Sequence, residues 1–280
     1  MKELYVDCHA HVFFSPIPLE AFDKDIAGEI PTPEINFIRK MIFSAKEKGV
    51  SYIVGVISNP NDFSSYQVQL EFENIVDVIG LSRNNALEDH SHIIALLEKE
   101  IERKKPYGIG EIGLEYIYGF DNFNDQEKMS IRKKQKELFR RQIQLAKEIN
   151  TPIVVHAGYG TDKDIVKILN QEHAQDVGGQ IHGYMSNEEL VSELLDRGFY
   201  LSVGYIHTRE EEFRKIIEMT PLERILIETD SPYHLLEYPK RFILPEDVIL
   251  IYDKISALKE INHEVLAKRV MRNIRELFKF

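Results

Sequence analysis

The sequence predicts a (β/α)8 barrel, an α/β fold of the TIM-barrel type, formed by residues 1–280 as a single domain. Two observations indicate this fold: eight short runs rich in valine and isoleucine recur along the chain, and helix-like segments separate most of them. Strands that are buried on both faces of a parallel sheet have such continuous apolar runs, and their alternation with helices is typical of a barrel. The predicted strands are residues 4–10, 51–58, 75–82, 107–114, 152–158, 178–184, 199–205 and 224–230.

Helices are expected where apolar residues repeat at helical spacing. In the longest such segment, Ile131, Leu138 and Leu145 follow this spacing, and the basic residues between them indicate a solvated face. The two longest connections, 13–33 and 116–130, follow the first and fourth strands, so both are predicted to lie over the C-terminal face of the barrel as lids. Helices are predicted over residues 33–50, 92–106, 131–150, 246–258 and 263–278.

Composition narrows the classes of function. The formal net charge is −11, whereas a protein that coats long nucleic acid normally presents a basic face. The expected partners are therefore a nucleic-acid end or a small anionic substrate. Cys8 is the single cysteine, so it is expected in the core, and no intramolecular disulfide can form. This cysteine usage and the lack of a run of about eighteen apolar residues predict a cytoplasmic protein that does not enter a membrane.

Polar side chains interrupt the apolar runs near the ends of five predicted strands. His9 and His11 lie two residues apart on the first strand, so their side chains face the same side. The carboxyl ends of the strands meet at one face of a barrel, where active sites assemble. The other interruptions are Glu111, His156, His182 and Asp230, on the fourth, fifth, sixth and eighth strands.

These six side chains together predict a centre for two divalent metal ions. Burying ionised carboxylates costs several kcal/mol each unless they are paired or bind metal, and histidine nitrogens with carboxylate oxygens suit Mg, Mn or Zn. Glu111 is expected to bridge the ions, because its strand lies between the strand of His9 and His11 and the strands of His156 and His182. Two ions about 3.5–4 Å apart can stabilise the attacking and leaving oxygens of a phosphodiester displacement. Asp230 is predicted to accept the proton of the attacking water, so Asp230 and Glu111 are the predicted catalytic residues.

The sequence resembles the TatD family of metal-dependent hydrolases over essentially its whole length. The motifs that carry the resemblance are DCHAHV, GEIGLEY, PIVVHAG, QIHGY and PLERILIETDSPY, in this order. The resemblance implies hydrolysis of phosphodiesters, often as a DNase that acts from an end of the strand. It also implies two metal sites, which share Glu111. The implied ligands are His9, His11, Glu111 and Asp230 for the first ion, and Glu111, His156 and His182 for the second.

The sequence departs from the family pattern at positions expected to contact the substrate. Gly158 stands where the family usually has an arginine, which is a bidentate partner for phosphate. Glu115 replaces the aspartate of the family's GLDY motif, and the run from Gly183 to Ser186 replaces Cys-Phe-Ser-Gly. Glu115 and Tyr184 are predicted substrate contacts, as are two histidines that follow the seventh and eighth strands. These histidines are His207 and His234.

Two other functions are compatible with the same metal ligands. One is hydrolysis of a small non-nucleotide ester, lactone or amide, which the absence of an arginine at Gly158 and the acidic composition favour. The other is a metal-bound barrel that has lost catalysis and serves as a scaffold, against which the acid at Asp230 argues.

Overall fold

The computed structural model describes residues 4–14, 17–18, 29–30, 33–65, 71–184, 188–236 and 241–280. Its centre is an eight-stranded sheet in which every strand pairs in parallel with the next one along the chain. The strands are β1 (Tyr5–Ala10), β2 (Val50–Ile57), β3 (Ile75–Ile79), β4 (Gly108–Leu114), β5 (Ile153–Ala157), β6 (Gly179–His182), β7 (Tyr200–Val203) and β8 (Ile225–Ile227).

The sheet closes where β1 meets the segment that follows β8. Ala10 and Ser231 form a parallel bridge. The Asp230 amide donates to the His9 carbonyl at 3.0 Å, and the His11 amide donates to the Ser231 carbonyl at 2.8 Å. The predicted (β/α)8 barrel is confirmed, and its closing seam joins three of the predicted site residues through the backbone.

Helices pack around the barrel through apolar faces. The first helix buries Ile38, Met41, Ile42 and Ala45, which lie on one side at a spacing of three and four residues. Cys8 is fully buried in the core, as expected. The helices are α1 (Ile35–Glu47), α2 (His90–Lys104), α3 (Asp125–Glu148), α4 (Asp162–Gln171), α5 (Glu188–Asp196), α6 (Tyr205–Arg209), α7 (Glu211–Met219), α8 (Val248–Leu258) and α9 (His263–Phe278). Within the residues that the structure describes, no helix is both long and apolar enough to cross a membrane.

The structure corrects several predicted boundaries, and two of the corrections have a cause in side-chain contacts. Helix α3 begins at Asp125, not at Ile131, because Asn124 and Glu127 form a capping box that satisfies its first amides. The predicted 116–130 loop is correspondingly shorter. Strand β3 ends at Ile79, before the predicted end at residue 82, because the side chain of Gln142 hydrogen-bonds both the amide and the carbonyl of Leu81.

Two short antiparallel ribbons lie outside the barrel sheet. One pairs Ile17–Pro18 with Glu29–Ile30, and the other pairs Leu235–Leu236 with Arg241–Phe242. Most of the predicted 13–33 loop lies outside the described residues, as do residues 185–187 of the run after β6.

Candidate metal centre

The structure brings the six predicted residues together at the C-terminal mouth of the barrel. His9 lies on β1 and His11 directly follows it, and their Nε2 atoms are 3.3 Å apart. Asp230 follows β8 at a positive φ of 51°, and its Oδ1 lies 3.6 Å from both of these Nε2 atoms. These three side chains form the first cluster.

The second cluster consists of His156 on β5 and His182 at the end of β6. These strands are neighbours in register, with His156 paired to His182, and the His156 Nδ1 and His182 Nε2 atoms are 3.1 Å apart. The approach of β4 to β5 also requires a glycine. Gly113 has a φ of 141°, and a Cβ there would lie 2.1 Å from the carbonyl oxygen of His156. This close pairing carries Glu111 towards the second cluster.

Glu111 lies between the two clusters and presents one oxygen to each. Its Oε2 is 3.2 Å from His11 Nε2 and 3.8 Å from His9 Nε2. Its Oε1 is 3.2 Å from His156 Nδ1 and 3.5 Å from His182 Nε2. The carboxylate therefore has the position that a bridging ligand needs.

Burial and neighbouring charge set the protonation of these groups. Burial opposes ionisation of Glu111, but the charge of His182 and hydrogen bonds from the surrounding histidines outweigh it, so the pKa of Glu111 lies well below its usual value. Burial, together with the neighbouring His182 and His11, lowers the pKa of His9 well below its usual value. Burial raises the pKa of Asp230, although the adjacent histidines oppose this shift. An ionised Glu111 and a neutral His9 are the forms that bind metal.

The donor atoms fit divalent metal ions. Two groups of three ligand atoms, His9–His11–Glu111 and Glu111–His156–His182, each lie within 4.8 Å of one another. Among the described residues, the buried Asp230 Oδ1 has no hydrogen-bond partner. An unpaired buried carboxylate oxygen is costly, and a dication beside it would offset that cost. Imidazole and carboxylate are also the ligand types that Zn and Mn accept.

Two further carboxylates stand behind the second cluster. Glu228 Oε1 is 3.5 Å from His182 Nδ1, and Glu115 Oε2 is 3.6 Å from His156 Nε2. Gln180 holds Glu228 from the opposite side at 3.2 Å, and Ser202 donates to the same oxygen. A carboxylate behind a metal-binding histidine fixes its tautomer and orientation. The sequence reasoning missed Glu228, although its spacing of two residues from Asp230 was a usable signal.

Asp7 begins the DCHAHV motif, and the sequence assigned it no role. It is fully buried, and its carboxylate accepts hydrogen bonds from the Thr229 amide at 2.9 Å and the Thr229 hydroxyl at 2.6 Å. Asp7 thus fixes the residue before Asp230 against β1, at the seam where the barrel closes.

The four predicted substrate contacts differ in their access to the centre. His234 is partly exposed, and its Nε2 lies 3.9 Å from Asp230 Oδ2. Glu115 is buried, and its Oε1 accepts hydrogen bonds from the amides of Ile117 and Tyr118 at 2.7 and 3.1 Å. Its other oxygen lies 3.6 Å from His156 Nε2, so Glu115 helps to orient the His156 ring of the second cluster.

His207 and Tyr184 lie in the interior. His207 is fully buried, and its Nε2 donates to the Tyr184 carbonyl at 2.7 Å while its Nδ1 accepts from the Gly204 amide at 3.0 Å. Tyr184 is 1% exposed, and burial together with a hydrogen bond to Asp162 raises the pKa of its hydroxyl. This geometry buries both residues between the segments that follow β6 and β7, so their predicted contact with a substrate stays a prediction.

Gly158 and Glu115 form one local arrangement. A Cβ at position 158 would lie 2.3 Å from Glu115 Oε2 and 2.8 Å from the Leu114 carbonyl oxygen. Glu115 therefore occupies the space that any side chain at position 158 would need. The two departures from the family pattern are structurally linked.

Two side chains that the sequence reasoning missed also contact the clusters. The Arg83 Nη1 donates to Glu111 Oε1 at 3.0 Å, from a 3-10 helix that follows β3. The Tyr233 ring packs edge-on against the His11 ring, with 5.0 Å between the centroids. Both residues lie shortly after the predicted ends of the third and eighth strands, at residues 82 and 230, which was the available signal.

Comparison with known proteins identifies the family. A family model described as TatD related DNase matches residues 6–279. The chain belongs to this family. Similar proteins include the uncharacterized metal-dependent hydrolase YabD of Bacillus subtilis (strain 168), which is 31% identical over 278 residues and 98% of each chain. The putative deoxyribonuclease TATDN3 of Mus musculus is 25% identical over 285 residues, which cover 98% of this chain and 87% of the mouse protein.

A solved TatD structure agrees with the fold. The TatD homologue YJJV of Escherichia coli K12 has a TM-score of 0.81 and 21% identity, with 100% of both chains covered. The predicted membership of the TatD family is therefore confirmed, and the protein is a metal-dependent hydrolase of this family.

Proposed function

We propose that the protein hydrolyses phosphodiester bonds of DNA from a 3′ end, with two divalent ions (Mg, Mn or Zn) at the centre. The observation that carries this proposal is the position of Glu111, whose two oxygens face two separate histidine pairs at 3.2–3.8 Å. One carboxylate shared between two N/O ligand groups is the arrangement that a dinuclear site requires.

Six residues of the chain would hold the two ions, and one of them would also accept a proton. His9, His11, Glu111 and Asp230 would hold the first ion, and His156 and His182 with Glu111 the second. When bound, the ions supply Lewis-acid charge to the phosphate and lower the pKa of the attacking water. Asp230 would accept the proton of that water through its carboxylate, whose Oδ1 lies 3.6 Å from the Nε2 atoms of both His9 and His11.

The substrate is proposed to enter as a strand end. The net charge of −11 disfavours binding along a long duplex, while electrostatic screening over about 8 Å permits a local positive centre. The names of the relatives support this choice, since the family model is described as TatD related DNase and the mouse relative as a putative deoxyribonuclease.

A second candidate function is hydrolysis of a small ester, lactone or amide at the same centre. The observation that favours it is the Glu115 carboxylate beside Gly158, which makes this wall of the site acidic and leaves no room there for a phosphate-binding side chain. This candidate needs the same ions and the same Asp230.

The test uses 3′-end-labelled single-stranded DNA with and without added magnesium or manganese. Wild type and the variants Asp230→Asn and Asp253→Asn are compared, because Asp253 is an exposed aspartate far from the clusters in sequence. Label release that requires metal and falls about 10²–10⁴-fold in Asp230→Asn alone supports the proposal. Full activity of Asp230→Asn contradicts the role of Asp230. Turnover of a panel of small esters, lactones and amides without DNA cleavage favours the second candidate.

A further inference from the structure

Arg83 reaches into the metal centre from the side of β3. It begins the 3-10 helix Arg83–Leu87, which follows β3 at the C-terminal mouth. Its side chain is 23% exposed, and its Nη1 donates to Glu111 Oε1 at 3.0 Å. A guanidinium that is partly exposed and also touches the central carboxylate lies beside the position of a molecule bound at this centre.

The contact with Glu111 uses a small part of the donor capacity of Arg83. A guanidinium carries five N–H donors, and a carboxylate oxygen has two acceptor positions. Among the hydrogen bonds of the described residues, Arg83 makes one, and its buried Nε has no partner. Arg241, by contrast, binds Asp247 through both terminal nitrogens at 2.7 Å, as expected for a structural clamp.

Arg83 differs from the other residues around Glu111 because it carries a permanent positive charge. Within 4 Å of Glu111, among the residues that the structure describes, Arg83 is the one arginine or lysine. On the other side of β4, beside His156, lies the Glu115 carboxylate, and no side chain fits at Gly158. A permanent cation therefore reaches Glu111 from the β3 side of β4, while the β5 side carries a carboxylate.

We propose that Arg83 binds a non-bridging oxygen of the phosphoryl group at this centre and makes the site selective for anionic esters over neutral ones. Arginine suits this role because its planar, always charged fork matches phosphate oxygens. Its existing contact with Glu111 holds the guanidinium in place before the substrate arrives. This inference rests on the proposed function for the identity of the ester.

The test compares wild type, Arg83→Gln and Arg83→Lys, with Arg103→Gln as a matched control at an exposed arginine of α2. Affinity for inorganic phosphate is measured by calorimetry on the magnesium-loaded protein, and metal content by elemental analysis. Turnover is measured with bis(p-nitrophenyl) phosphate and with p-nitrophenyl acetate, which share a leaving group but differ in charge.

We expect Arg83→Gln to weaken phosphate binding and to lower kcat/KM for the phosphodiester by about 10- to 100-fold. Metal content and acetate hydrolysis stay within twofold of wild type. Arg83→Lys keeps the charge but loses the fork, so a loss of about 3- to 10-fold is expected. Phosphate affinity that depends on Arg83 in a protein without diesterase activity would retain this inference and reject the proposed function.

Two results would overturn the inference. One is unchanged phosphate affinity and unchanged diester kcat/KM in both Arg83 variants. The other is an equal loss for the two substrates together with a loss of bound metal, which would make Arg83 a support for Glu111. If Arg83→Gln does not fold, the Arg83→Lys variant decides by the same criteria.

Discussion

Replacement of Gly158 by alanine tests the close contact between position 158 and the Glu115 carboxylate, where the sequence departs from the family pattern. The added Cβ would lie 2.3 Å from Glu115 Oε2, 2.8 Å from Glu115 Cδ and 2.8 Å from the Leu114 carbonyl oxygen. The carboxylate must move, because heavy atoms do not approach so closely. Glu115 then loses its hydrogen bonds from the Ile117 and Tyr118 amides, which are 2.7 and 3.1 Å long.

The size of the effect follows from these contacts. Overpacking costs about 1–3 kcal/mol, and a hydrogen bond to a charged group contributes about 1.5–3 kcal/mol. Part of this loss is recovered when the displaced carboxylate finds new partners, so Gly158→Ala is expected to lower the free energy of unfolding by about 2–4 kcal/mol. The measurement is urea-induced unfolding of the wild type and the variant with the metal concentration held fixed.

A double-mutant cycle with Glu115→Asp supplies the control. The shorter side chain withdraws the carboxylate, so Gly158→Ala should cost about 1–2 kcal/mol less in the Glu115→Asp background than in wild type. The rescue is partial, because the Leu114 carbonyl oxygen remains at its distance of 2.8 Å from the new Cβ. Strictly additive effects of the two substitutions would refute the argument that Glu115 fills the space at position 158.

The remaining predictions concern the metal centre. Glu228→Gln should weaken metal binding at the second cluster by about 10- to 100-fold and leave the first cluster unchanged, because the amide no longer fixes the tautomer of His182. Calorimetric metal titration measures the affinity of each cluster, and Glu223→Gln, at an exposed position, serves as the control. Equal metal affinities in wild type, Glu228→Gln and Glu223→Gln would contradict the role of Glu228. Removal of metal by a chelator should lower Tm by about 5–10 °C if ions are present at about 100 times Kd, and added magnesium should restore it. A Tm that does not respond to either treatment would count against resident ions.

Local patterns in the sequence were enough to predict the barrel and the positions of six site residues. Continuous apolar runs indicate strands that are buried on both faces, and the two-residue spacing of His9 and His11 indicates that both side chains face the same side of their strand. Both inferences use only neighbouring residues, so they do not depend on distant parts of the chain. The start of α3 was also readable, since Asn124 and Glu127 have capping-box spacing.

Residues whose role depends on contacts between strands could not be predicted in this way. Arg83 meets Glu111 across 28 residues of sequence, and Asp7 meets Thr229 across 222. The Glu115 carboxylate, which directly follows β4, fills the space beside Gly158. The reason for a glycine at this position is therefore visible only when β4 and β5 are placed side by side. His207 depends on such contacts as well: its place after a strand suggested access to the mouth, whereas both of its ring nitrogens hydrogen-bond backbone groups and its side chain is buried.

The charges of the centre impose an order of binding. The carboxylates of Glu111, Asp230, Glu115 and Glu228 surround the histidines and outnumber the positive charges of Arg83 and His182. Without ions, a site with this excess of carboxylates would repel an anionic substrate, whereas two dications together with Arg83 would reverse the sign of the local charge. If the proposed function holds, metal therefore binds before the phosphodiester, and the positive charge that attracts the substrate is confined to the mouth of a protein whose net charge is −11. A strand end can enter such a confined site, while a long flanking duplex would be repelled by the net negative charge of the protein, which is the physical basis for expecting action at ends.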